Sequence, residues 1–193
     1  MIAASSLRLA YGAAERDRLL AIIAEKSLKR AAEGGFALAS GATSSFYFDM
    51  KPTLLDPEGA HLVARGMLSK LAHDEFDFVG GLALGAIPIV ASVVALSWPE
   101  RPILGFFVRP EQKERGTRRL IEGNIREGAR IALVEDVATT GGSTLKAAEA
   151  VRARGCTIVK AIAVVDRLAG ARENLAAQGI PLEALFTRED FGV

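Results

Sequence analysis

The chain has 193 residues, half of them hydrophobic and 24% charged, which suits one α/β domain with a sizeable core and excludes a disordered chain. Its formal net charge of +1 excludes a broad nucleic-acid footprint, because that needs surplus Lys and Arg. The single cysteine, Cys156, excludes an internal disulfide or a Cys-based metal cage and reads as apolar filler beside a strand. Met1 to Leu9 carry no long apolar core, and no run reaches about 18 uncharged apolar residues. A cytoplasmic protein without a membrane partner is therefore expected.

In chain order, Leu20, Ile23, Ala24, Leu28 and Ala31 recur at helical spacing, predicting a helix from about Ala13 to Glu33 that Gly34-Gly35 ends. Two β-prone runs follow, Phe36 to Leu38 and Phe46 to Phe48, around a turn-rich Ser40 to Ser45. Asp56-Pro57 is a cap and a first-turn proline. It opens a helix with Ala60, Val63, Ala64, Met67, Leu68 and Leu71 on one face. Strands are then predicted at Phe76–Val79, Ile103–Val108, Ile131–Val134, Thr157–Val165 and Leu182–Phe186. Helices are predicted at Ile87–Leu96, Gly142–Arg154 and Ala171–Gln178. Strands separated by helices return through crossovers, so they pair in parallel.

The segment from Ile131 to Thr144 carries the most chemistry. A short apolar strand ends in Glu135 and Asp136, then the small-residue loop Thr139-Thr140-Gly141-Gly142-Ser143 leads into a helix. Ligands of open α/β sheets bind at the carboxyl ends of strands. Glycines let backbone approach a phosphate, Thr139, Thr140, Ser143 and Thr144 add hydroxyl donors, and the helix opening favours an anion. Two carboxylates would repel that phosphate, but they suit sugar hydroxyls or the water around a magnesium ion. A pentose with vicinal hydroxyls and a 5-phosphate satisfies both halves; a solvated acidic turn capped onto a helix is the plainer alternative. Neither a Walker A loop nor a dinucleotide fingerprint is present. His61 and His73 have no neighbours at metal-ligand spacing.

Val134 to Ser143 resembles the phosphoribosyl pyrophosphate motif of type I phosphoribosyltransferases. The resemblance implies that family's fold, a central mostly parallel sheet flanked by helices with a small N-terminal hood and a mobile loop. It also implies that Glu135 and Asp136 hold the ribose hydroxyls. Val137, Ala138, Thr139, Thr140, Gly141, Gly142 and Ser143 would then hold the 5-phosphate. Further stretches are similar to orotate phosphoribosyltransferases from about Asp17 onward. Phe36 to Gly41 with Ser44 to Asp49 resembles the hood over orotate, which implies that the backbone at Tyr47 and Phe48 contacts the base. Gly80 to Pro88 resembles the pyrophosphate loop. Val164 to Arg167 ends a strand where the family's arginine lies beside orotate, and Thr139 matches another orotate position.

Arg109 to Arg119 contains five cations and two anions. A charge run is usually a solvated face, but this one resembles the family's loop that crosses to the neighbouring subunit. That implies a homodimer sharing the loop at about 109–120, within one domain over 1–193 whose helix and hood take about 1–50. Arg109, Lys113 and Arg115 would bind the diphosphate, with Lys113, Arg109 and Asp136 as the catalytic set. Mg²⁺ would be held by diphosphate, ribose and water rather than directly by protein. The chain departs from the pattern in having Pro110 and Arg115 where many members have Lys and His, and Ala39 and Gly85 where some have lysines. Arg115 keeps a cation but cannot act as a neutral acid–base group near pH 7. The expected activity is transfer of ribose 5-phosphate from phosphoribosyl pyrophosphate to orotate. A transferase for another base and a non-catalytic ligand-binding regulator are the rivals.

Overall fold

The computed structural model describes residues 11–31, 35–37, 43–111 and 120–193. Lys113 and Arg115, with Ala39 in the hood, lie outside the described residues. In chain order the elements are α1 (Ala13–Lys26), β1 (Leu28–Arg30), β2 (Phe36–Ala37), β3 (Thr43–Ser44), β4 (Phe46–Phe48), α2 (Lys51–Leu54), α3 (Pro57–Lys70) and β5 (Phe78–Leu82). They continue as α4 (Ala86–Ser97), β6 (Leu104–Val108), β7 (Ile121–Glu122), β8 (Arg130–Ala138), α5 (Gly142–Arg152), β9 (Thr157–Asp166), α6 (Ala171–Ala176), β10 (Leu182–Thr187) and a 3-10 turn at Arg188–Phe191.

The main sheet runs β10-β9-β8-β5-β6-β7. All its pairings are parallel except β6 with β7, as the crossover argument requires for strands joined by helices. Alternation along β8 divides the core. Ala132 and Val134 pack with α1, α3 and α4 residues such as Leu19, Val63 and Ile89, while Ile131 and Leu133 pack with α5 and α6 residues such as Ala147 and Leu175. The two faces continue into the acidic pair, so Glu135 and Asp136 leave the strand on opposite sides of the sheet.

One sequence expectation gives way in the N-terminal part. The helix expected to reach Glu33 stops at Lys26, because residues 28–30 pair antiparallel with Phe46–Phe48. Ser27 marks the break, its buried hydroxyl 2.7 Å from that of Thr53. The helical recurrence of Leu28 and Ala31 was coincidental, and a strand partner outweighed it. The first aromatic run pairs locally, Phe36–Ala37 with Thr43–Ser44. By contrast Asp56 caps α3 as expected, its Oδ1 accepting from the amides of Glu58 (3.1 Å) and Gly59 (2.9 Å). Among the described residues no helix is long and apolar enough to cross a membrane.

Candidate functional site

β8 runs beyond its apolar stretch to Ala138, so both acids sit within its last turns of pleat rather than after it. Gly141 then turns the chain in the left-handed region, φ +81°, and Leu175 Cγ lies 3.2 Å from where a Cβ would stand. A side chain there would be strained and crowded, which explains a glycine at the entry to α5. Among the described residues no side chain caps α5. Its first amides and the positive end of its dipole are therefore available to an anion. Thr139 to Ser143, with Glu135, Val137 and Ala138, line a cavity of about 200 Å³ over this helix opening.

Glu135 is only 7% exposed. Burial, followed by repulsion from Asp136, pushes its carboxyl up to about 8, against the hydrogen bond that Thr144 donates. That bond runs from Thr144 Oγ1 to Glu135 Oε2 at 3.2 Å. Asp136 accepts from the Val137 amide at 2.9 Å. Its carboxyl carbon lies 2.7 Å from the position a Gly85 Cβ would take. Gly85 thus gives the carboxylate room to lie against the loop after β5. A second cavity, about 550 Å³, opens on this side, lined by Asp136, Gly85, Leu84, Ile87, Pro88, Leu54, Leu55 and Lys51. Lys51 was not singled out from sequence; the signal was its place two residues after Asp49, to which it is paired at 2.7 Å.

At the end of the neighbouring β9, Arg167 is 7% exposed. Its Nη2 donates to Ser44 Oγ at 3.0 Å and its guanidinium carbon stands 4.7 Å from the Phe46 ring centre. Its Nε is buried with no hydrogen-bond partner among the described residues. Burial, then repulsion from Arg188, lowers its affinity for a proton. A desolvated cation with a spare donor calls for an anion, and a planar carboxylate matches its fork. Asp166 beside it is occupied, accepting from the Leu168 amide and Arg172.

The hood leans on this arginine through Ser44 and Phe46. The Phe48 side chain belongs to the core, 5.0 Å from the Phe191 ring and 5.8 Å from Phe46. Tyr47 is 39% exposed and 6.0 Å from Phe36. Bonds from Asp49 N to Ser27 O and from Ala31 N to Ser45 O flank the β1–β4 ladder. By alternation they assign the Lys29–Tyr47 pair to the bonded positions and turn the Phe48 peptide groups away from β1. Phe48 thus offers backbone, and Tyr47 offers a ring face.

Arg109 stands at the base of the 109–120 segment. Its amide donates to Leu120 O at 2.8 Å, and Nε and Nη2 reach Glu122 Oε1 at 2.9 and 2.8 Å. Among the described residues no three His, Cys, Asp or Glu side chains come together as a metal cage. A hard cation that keeps several waters and binds through phosphate oxygens is compatible with such a site.

Residues 54–178 match the family model for the phosphoribosyl transferase domain. The chain is 46% identical over 183 residues to the orotate phosphoribosyltransferase of Rhodopseudomonas palustris (strain BisB18), covering 92% of this chain and 96% of that one. It is 44% identical over 173 residues to the enzyme of that name from Aquifex aeolicus, covering 89% and 94%. The orotate phosphoribosyltransferase of Mycobacterium tuberculosis H37Rv, solved in complex with 5-phospho-alpha-D-ribosyl 1-diphosphate, superposes with a TM-score of 0.77. The two are 33% identical, and the match covers 93% of this chain and 99% of that one.

Proposed function

The chain belongs to the orotate phosphoribosyltransferase family, and from that premise we propose how its residues move ribose 5-phosphate from phosphoribosyl pyrophosphate to orotate. The products are orotidine 5-phosphate and pyrophosphate. The observation that carries the residue assignment is the cavity over the uncapped α5 opening, which has Glu135 in its wall. There the amides and hydroxyls of Thr139 to Ser143 hold the 5-phosphate, while Glu135 and Asp136 accept hydrogen bonds from the ribose hydroxyls. Arg167, with its unsatisfied Nε, pairs with the orotate carboxylate. Thr139, the Phe48 backbone and the Tyr47 ring bound the base.

In the reaction a ring nitrogen of orotate forms a bond to the anomeric carbon and gives up its proton. The carbon–oxygen bond to diphosphate breaks, and the electron pair leaves with pyrophosphate. The residues orient both partners and stabilise separated charge. Arg109, Lys113 and Arg115 meet the departing polyanion, and covering the site excludes water. Mg²⁺ entering with the diphosphate would supply further charge neutralisation beside Arg109, Lys113 and Arg115. Because Arg109 is paired with Glu122, its engagement with diphosphate requires that pair to loosen or share. A twofold homodimer completes the site, with residues 109–120 serving the neighbour, and the protein works in the cytoplasm.

The test is turnover followed by loss of orotate absorbance with phosphoribosyl pyrophosphate and Mg²⁺. Lys113→Ala should raise the barrier by about 2–4 kcal/mol, by analogy with deletion of an oxyanion donor. A wild-type rate would remove Lys113 from the set. Mixing Lys113→Ala with Asp136→Asn should recover activity through hybrid dimers; no recovery despite subunit exchange refutes sharing.

A further inference from the structure

Thr144 reads from sequence as one more hydroxyl for the phosphate, but the structure uses it differently. It is 3% exposed and absent from the lining of the cavity that Thr139 to Ser143 form. Its hydroxyl turns inward, 3.2 Å from Glu135 Oε2. Thr144 is the third residue of α5, in the turn whose free amides make the phosphate bed. Glu135 belongs to β8, nine residues back, and does line the cavity. One hydrogen bond therefore ties the anion half of the cradle to the sugar half.

We propose that Thr144 is a positioning residue, fixing the Glu135 carboxylate plane so that it meets the ribose hydroxyls only when the α5 opening is correctly placed for the 5-phosphate. The assignment rests on the ribose phosphate seat proposed above. A buried carboxylate with no donor would be costly and free to rotate, and the β-branched Thr side chain restricts χ1, so the hydroxyl is held on target. The inward hydroxyl also explains why a Thr suits this buried place when smaller or apolar residues would fill it. Burial alone does not require a donor.

The variants are Thr144→Val, which keeps shape and loses the hydroxyl, and Thr144→Ser, which keeps the hydroxyl. The probes are phosphoribosyl pyrophosphate with Mg²⁺, ribose 5-phosphate and inorganic phosphate, titrated by calorimetry alongside steady-state kinetics. Thr144→Val should weaken both sugar phosphates about tenfold and raise KM for phosphoribosyl pyrophosphate but not for orotate. Inorganic phosphate affinity should stay put, and Thr144→Ser should rescue to within about twofold. In a Glu135→Ala background, which leaves no acceptor for the hydroxyl, the Thr144→Val effect should vanish, because the two changes act on one interaction. Equal weakening of inorganic phosphate would overturn the proposal, since it would mean a distorted helix opening. Unchanged sugar phosphate affinity, or full additivity with Glu135→Ala, would also overturn it. Should Thr144→Val fail to fold, the Ser variant and the additivity of Thr144→Ala with Glu135→Ala decide in its place. If the wild-type protein binds inorganic phosphate but no sugar phosphate, the underlying seat is wrong, and this proposal falls with it.

Discussion

Replacing Glu135 by Gln should change how stability depends on pH. In the folded chain the Glu135 carboxyl is pushed from 4.5 to about 8, chiefly by burial and then by Asp136. The folded state therefore holds a proton that the unfolded chain releases near 4.5. The associated stability is fully present below that value and is lost as pH rises through about 8. The slope is about 1.4 kcal/mol per pH unit inside the window and flat above it. Across the whole window the loss is on the order of 5 kcal/mol. Glutamine keeps the shape and can still accept from Thr144, but it does not titrate. Urea unfolding followed by circular dichroism, at unit steps from pH 5 to 9, gives both curves. Their difference cancels the titrating groups that do not interact with Glu135. The wild type should lose ground to Glu135→Gln steadily up to pH 8 and then run parallel to it. A difference constant across the range would refute the burial of a protonated Glu135.

Three further outcomes follow from the same geometry. Gly81→Ala would press a Cβ into the Val134 carbonyl oxygen and within 2.6 Å of Ala86 Cβ, just before the acidic pair. It should cost about 1–3 kcal/mol and weaken phosphoribosyl pyrophosphate binding as well; scanning calorimetry and titration check both, and a neutral variant would contradict the packing. Arg167→Ala should raise KM for orotate by about 10- to 100-fold, the range of a charged hydrogen bond. The affinity for phosphoribosyl pyrophosphate should hold, and kinetics with each substrate varied separate the two. Asp56→Ala removes the α3 cap and should lower stability by about 1 kcal/mol, or roughly 2–4 °C in Tm for a chain of this size. Activity per folded molecule should be unaffected.

How far each feature could be read in advance depended on whether its cause is local. The parallel sheet was legible because Ile131–Val134 and Thr157–Val165 are apolar runs bounded by turn residues, a pattern that burial on both faces imposes. The phosphate loop was legible because Gly141 and Gly142 stand where an acidic strand end meets a helix. The strand pairing around the hood was not, since the match of Leu28–Arg30 with Phe46–Phe48 is set by packing rather than by residue type. The antiparallel edge strand at Ile121–Glu122 escaped for the same reason, being only two residues long. Lys51 and the inward turn of Thr144 are facts of three-dimensional placement. Periodicity could not assign Glu135 to the Thr144 side of the sheet and Asp136 to the Gly85 side until the extent of β8 was known.

The most direct measurement of the central claim is calorimetric titration of phosphoribosyl pyrophosphate with Mg²⁺ into the wild-type protein and into the Glu135→Gln, Asp136→Asn double variant. Saturable wild-type binding, weakened at least about 100-fold in the variant by the loss of two carboxyl partners for the ribose hydroxyls, is the predicted result. Equal affinity in the two proteins would place the ribose somewhere other than the end of β8.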